Sequence, residues 1–240
     1  MGFEWRNFCS SLLPMFFDVA ITAGGILPFY LGLLGVLTRE YQDKFSRLLR
    51  IFLLAGMTTL PFFALQYFGI EKEALNSLFG PLFSIIALAF AEELVKSMAL
   101  LFNKELRRSY SYPIVVGLGF AFFENISYFL GFDFTFAFLL IALFRLFMVS
   151  TAHAVFTTLI EHFLQKGTRK TRTLYYLLGL FIAGSAHSLF NLLNHWEMSY
   201  LIIPLLVVLI VYLHYDAPSH HVQQTPIHAH QPRLASARAH

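Results

Sequence analysis

The stretch Leu88–Phe102, LAFAEELVKSMALLF, sets Glu92, Glu93 and Lys96 within two helical turns, with little but hydrocarbon on either side. A soluble helix would carry charge along a whole face. Here the charge is a short island in an apolar run, and the rest of the chain matches that run. Of 240 residues, 57% are hydrophobic and 13% are charged, against roughly 25% charged in a soluble domain. The mean hydropathy is +0.63. The fold class is therefore an all-α polytopic membrane helix bundle. The segments lack the polar–apolar alternation of a barrel wall.

Seven apolar segments follow one another, at about 14–37, 49–69, 78–102, 113–131, 134–163, 174–194 and 199–215, most of them near the length of about 20 residues that spans a bilayer. The fifth is long enough to tilt or to extend into the cytosol. Short loops make consecutive helices antiparallel neighbours. Lys and Arg gather in alternate loops: TREYQDKFSRLLR (38–50), NKELRRS (103–109) and QKGTRKTRT (165–173). The intervening loops hold Lys72 and little else that is basic. This asymmetry predicts an external N-terminus and a cytosolic C-terminus, in a protein of the cell membrane.

The net charge of +3 reflects these loops, so nucleic acid is not an expected partner; the bilayer is. A single cysteine, Cys9, excludes a disulfide framework and a thiolate metal site. The first residues lack the signature of a cleaved signal peptide. Residues 1–215 read as one transmembrane domain. Residues 216–240, with five of the ten histidines, read as a disordered cytosolic tail.

Glu92, Glu93 and Glu124 are acidic residues in the middle of apolar segments, and Lys96, Arg145, His153 and His187 are their counterparts. Each such charge costs at least about 2.5–3.5 kcal/mol on insertion scales, so these groups must face the bundle interior and one another. Counted from the cytosolic helix ends they lie roughly 14–20 Å deep, at 1.5 Å per residue. Four helices thus bring polar groups to one layer. Residues 89–94 (AFAEEL) echo 121–126 (AFFENI), and 151–159 (TAHAVFTTL) echo 185–193 (SAHSLFNLL), aligning Glu92 with Glu124 and His153 with His187.

Helical geometry narrows the roles. Lys96 is within reach of either carboxylate of the Glu92–Glu93 pair. Those two side chains point about 100° apart, so one faces a reacting centre and the other a neighbouring helix. His187 and Asn191, four apart, share a face and could donate hydrogen bonds to an oxyanion. Arg145 reads as a structural partner for a carboxylate, and His153 as a supporting residue. The bland readings are a structural ion pair for Glu92, Glu93 and Lys96, a Glu124–Arg145 pair, and interhelical bonds for His187 and Asn191.

In order, Glu92-Glu93-x-x-Lys96, Phe120-Ala121-x-x-Glu124-Asn125, Arg145 with His153, and His187-x-x-x-Asn191 resemble the motifs of the PrsW family of intramembrane proteases. They are more distantly similar to those of the type II CAAX prenyl endopeptidases. The resemblance spans about residues 80–195. It implies peptide-bond hydrolysis in a membrane-anchored protein or peptide. Glu92 would activate water, Glu124 or Glu93 would assist, and His187 and Asn191 would hold the oxyanion. PrsW-type proteins usually carry Asp where Asn191 stands; Asn is the residue of the CAAX relatives.

The family is labelled metalloprotease, and Glu92, Glu93, Glu124, His153 and His187 could supply a Zn²⁺ site. Yet Asn191 is a poor ligand, and Lys96 would repel a dication. The expectation is therefore a metal-free centre, with Zn²⁺ as the alternative. Competing functions are a proton-coupled transporter, which uses the same residue types, and a non-catalytic peptide-binding membrane protein.

Overall fold

The computed structural model describes residues 5–61, 80–102, 111–130 and 136–216. The basic loop 103–109, Lys72 and the tail beyond Asp216 lie outside the described residues. Helix α1 runs Trp5–Tyr41, α2 Phe45–Met57, α3 Pro81–Phe102 and α4 Ser111–Phe129. Next, α5 (Phe136–Phe144) passes through a π turn (Arg145–Val149) into α6 (Ser150–Lys166). Helix α7 is Arg172–His195, and a 3₁₀ turn (Ser199–Leu201) leads into α8 (Ile202–Asp216). Among the described residues there is no strand.

Among the described residues, four helices are long and apolar enough to cross a membrane: Asp18–Tyr41, Phe138–Lys166, Arg172–His195 and Ser199–Asp216. This is an integral membrane protein. Helices α3 and α4, which carry Glu92, Glu93, Lys96, Glu124 and Asn125, are not among these four.

Two segments depart from the expected continuous spans. The run 49–69 is not one helix. It begins at Phe45, and α2 closes at Met57 in a turn at Thr58 and Thr59. The two hydroxyls donate to the carbonyls of Ala55 and Gly56, each at 2.6 Å. Pro61 then has no N–H to give the carbonyl of Met57. The run 134–163 is helical from Phe136 to Lys166, but the π turn interrupts it. A π turn accommodates an extra residue in the helical ladder, so the phase between Arg145 and His153 is not that of a regular α-helix.

Helix α4 is the hub, with α1, α2 and α6 packed against it; α7 packs on α6 and α3. Glycine permits the close approaches. A Cβ on Gly117 would meet the His153 carbonyl at 2.5 Å and the Ala154 backbone at 2.6 Å. A Cβ on Gly119 would clash with the carbonyl of Phe52. Backbone therefore meets backbone where α4 crosses α6 and α2, the small-residue packing expected in lipid. That approach brings His153 to the level of Glu124. Large apolar side chains on the outer faces, such as Leu139, Phe181, Ile203 and Val208, are exposed, as lipid-facing positions must be.

Candidate functional site

The polar residues of α3, α4, α6 and α7 form one connected cluster. Glu93 and Lys96, three apart on α3, are both 0% exposed, with Nζ 2.5 Å from Oε1. That oxygen also accepts from His187 Nδ1 at 2.7 Å. The Lys96 ammonium donates a second bond to His153 Nδ1 at 2.7 Å and lies 4.6 Å from the centre of the Phe120 ring. Lys96 thus serves Glu93 and a histidine on another helix.

These bonds fix how the two imidazoles are used. An ammonium only donates, so His153 Nδ1 accepts. Its Nε2 then holds the ring proton, 2.5 Å from Glu124 Oε2. The Glu93 carboxylate only accepts, so His187 Nδ1 is protonated. In neutral form His187 therefore presents a bare Nε2, 3.8 Å from Glu92 Oε2. The Phe156 ring stacks on His187 at 5.2 Å and holds its plane.

Glu124 is shared between helices. Its Oε1 accepts from Arg145 Nη2 at 2.7 Å, so both its oxygens are engaged. Arg145 also donates from Nε to Asn125 Oδ1 at 2.9 Å, and its guanidinium lies 3.9 Å from the centre of the Tyr128 ring. The π turn lets Arg145 and His153, from one continuous helix, address the two oxygens of one carboxylate.

A cavity of about 630 Å³ opens on this cluster. Glu92, Glu124, Arg145, His153, His187 and Asn191 line it. Glu93 and Lys96 are not in its wall. The adjacent carboxylates have separated as their 100° offset demands: Glu92 to the cavity, Glu93 behind it. His187 and Asn191 face the same space. His195, which sequence reasoning left without a role, lines the cavity with Asn194. Tyr30, Asn125, Ser150 and Phe156 also belong to the surroundings of the site and were missed. Asn125 sat in a quoted motif, but the others look like ordinary residues of apolar helices.

A family of PrsW intramembrane metalloproteases matches residues 44–215. The chain belongs to the PrsW family. Among curated proteins and among solved structures, none matches it. In this PrsW-family chain the matched segment holds every residue that lines the cavity, and Tyr30 precedes it.

The residues present fit the metal that the family description implies. Glu92, His153 and His187 each offer a ligand atom, and the three atoms lie within 4.8 Å of one another. Two imidazoles and a carboxylate are a catalytic zinc donor set. The Glu93–His187 bond is the carboxylate–imidazole support that metal-bound histidines commonly have. The ion pair with Glu93 offsets the charge of Lys96, but its bond to His153 Nδ1 bears on the site. To ligate through Nε2 as a neutral imidazole, His153 would have to carry its ring proton on Nδ1 and give up the bond it accepts there from Lys96.

Proposed function

We propose that the chain is an intramembrane endopeptidase that uses Glu92 to activate water against a peptide bond in a membrane-anchored substrate. The observation that carries this reading is the single cavity lined by Glu92, Glu124, His187 and Asn191, contributed by three helices. A structural ion pair would leave no space between its partners. Here the sealed pair and the cavity-lining carboxylates are separate sets.

Glu92 accepts the proton of a water held beside it and returns it to the leaving amine, as a general base and then acid. Glu124, steadied by His153, holds the same water from the opposite side. Asn191 donates its amide N–H to the developing oxyanion. His187 can share that role only as an imidazolium, because its Nδ1 proton is committed to Glu93. Glu93 and Lys96 fix the tautomers and planes of both histidines. Arg145 holds Glu124 in place. A divalent ion, held by Glu92, His153 and His187, would supply a Lewis acid that acidifies bound water.

Incubating the purified protein with a library of membrane-anchored peptides, read by mass spectrometry, tests the assignment. The wild type should cleave at defined bonds. Glu92→Gln should lose at least about a hundredfold, the lower range for a lost general base. Equal cleavage by Glu92→Gln would overturn Glu92 as the base, and no cleavage by the wild type would point to a binding protein or a proton pathway. Chelation followed by stoichiometric Zn²⁺ separates the metal-dependent from the metal-free form of the site. The metal-dependent form predicts that His187→Ala loses bound zinc in elemental analysis.

We further propose seven crossing segments in the cell membrane, an external N-terminus and a cytosolic 165–173 loop. The alternating Lys and Arg content of the loops supports this topology. A cysteine placed at position 167 that reacts with an impermeant reagent from outside intact cells would reverse it.

A further inference from the structure

Helix α1 precedes the family-matched segment, yet it puts a hydroxyl into the polar cluster. Tyr30 is 0% exposed. Its oxygen lies 2.7 Å from Ser150 Oγ, at the end of the π turn, and accepts from Asn125 Nδ2 at 2.8 Å. Its ring packs edge-on against Phe122 at 5.2 Å and lies 5.7 Å from Phe52, so the hydroxyl has no freedom to wander. The neighbouring Phe29 meets Phe147 of the π turn at 5.1 Å. Helix α1 thus grips the π turn at two points.

The bonding roles make Tyr30 necessary to this arrangement. Arg145 is donor-only, so Asn125 must present its carbonyl oxygen to the guanidinium. The Asn125 amide NH₂ is then left facing the interior, in a residue that is itself 0% exposed. It needs an acceptor, and the Tyr30 oxygen is that acceptor. Without it, the Asn125 amide gains by rotating toward another acceptor, and Arg145 loses its Nε partner. Arg145 then no longer holds Glu124 from a fixed direction.

We infer that Tyr30 is a positioning residue for the reaction centre, acting through Asn125 and Arg145 on the Glu124 carboxylate at the cavity wall. This rests on the endopeptidase reading for its consequence in turnover, but the placement of Arg145 can be read without it. Tyr30→Phe removes one oxygen and keeps the ring.

Two measurements on the full-length protein in detergent test the inference. The first needs no substrate. In ¹⁵N-arginine-labelled protein, the Arg145 Nε–H resonance, assigned with Arg145→Lys, should be sharp and protected in the wild type. It should broaden or exchange in Tyr30→Phe. An unchanged resonance overturns the inference, whether or not the protein is a protease.

The second measurement uses the best-cleaved peptide of the library, with Glu92→Gln as the inactive reference. Tyr30→Phe should lower kcat about tenfold, as for one lost buried hydrogen bond, with KM within about twofold. The double variant with Asn125→Ala should be no slower than Asn125→Ala alone, because the two act in series. Additive losses, or a change confined to KM, overturn the inference. If Tyr30→Phe does not fold, Ser150→Ala takes its place: it removes the other anchor of the hydroxyl and should lower kcat about threefold. Wild-type turnover in Ser150→Ala would overturn it.

Discussion

His153 stands between two carboxylate–cation pairs of opposite construction. Glu93 and Lys96 come from a single helix, three residues apart, and neither side chain is exposed. Glu124 and Arg145 come from different helices, with 26% and 13% of their side chains exposed along the cavity. The sealed pair touches both histidines through their Nδ1 atoms. The open pair touches His153 through Nε2. Each imidazole is thus held from behind by buried charge, while its other nitrogen faces a cavity carboxylate, Glu124 for His153 and Glu92 for His187. One pair is sealed among side chains, and the other lies along the cavity wall.

Breaking the sealed pair should have the largest effect. Lys96→Met strands Glu93 in the interior and should cost about 3–5 kcal/mol, read from unfolding in detergent. Replacing both residues, Glu93→Leu with Lys96→Met, should restore most of that loss, since apolar replacement of a buried pair is often neutral or better. Turnover should not return, because His187 and His153 have lost their Nδ1 partners. A double variant that is both stable and active would show that the sealed pair does not position the histidines.

Breaking the open pair should be milder for stability and sharper in function. Arg145→Met should cost about 1–2 kcal/mol, because cavity water can solvate Glu124 in place of the lost charge-assisted bonds. Turnover should fall about tenfold, as Glu124 loses its fixed direction. A stability loss equal to that of Lys96→Met would mean that the cavity is dry and the contrast false. The smallest effect belongs to the Lys166–Asp216 pair at the ends of α6 and α8, with side chains 33% and 39% exposed. Lys166→Ala should leave both the unfolding midpoint and turnover within error.

The sequence was legible where one helix suffices to make the argument. The 100° offset of Glu92 and Glu93 separates a cavity carboxylate from a hidden one, and the i, i+4 spacing puts His187 and Asn191 on one face. Spacing alone did not say which carboxylate was which, since that depends on how α3 is rotated against α7; the choice of Glu92 came from the family resemblance. Nor could spacing show that Lys96 would cross to His153, because the approach rests on Gly117 letting α4 and α6 meet backbone to backbone. Tyr30 was invisible for a similar reason: one tyrosine in an apolar helix has no periodicity to betray it. The π turn has no sequence signature at all, and the seven apolar runs were read as uninterrupted helices. The charge island in α3 pointed to the polar cluster, and α3 itself is not among the helices apolar enough to cross a membrane.

The π turn between Arg145 and Val149 acts on the chain as a phase shifter. Removing one residue from it would restore a regular α ladder and turn α5 by roughly 100° relative to α6. The face of α5 that now meets lipid, with Leu139, Leu140 and Leu143 exposed, would swing toward its neighbours, and Arg145 would leave Glu124. A single codon's worth of length in this turn therefore sets which side of a helix the membrane sees. Insertions and deletions here would be purged far more strictly than substitutions of Leu146 or Phe147, whose side chains can change without altering the count.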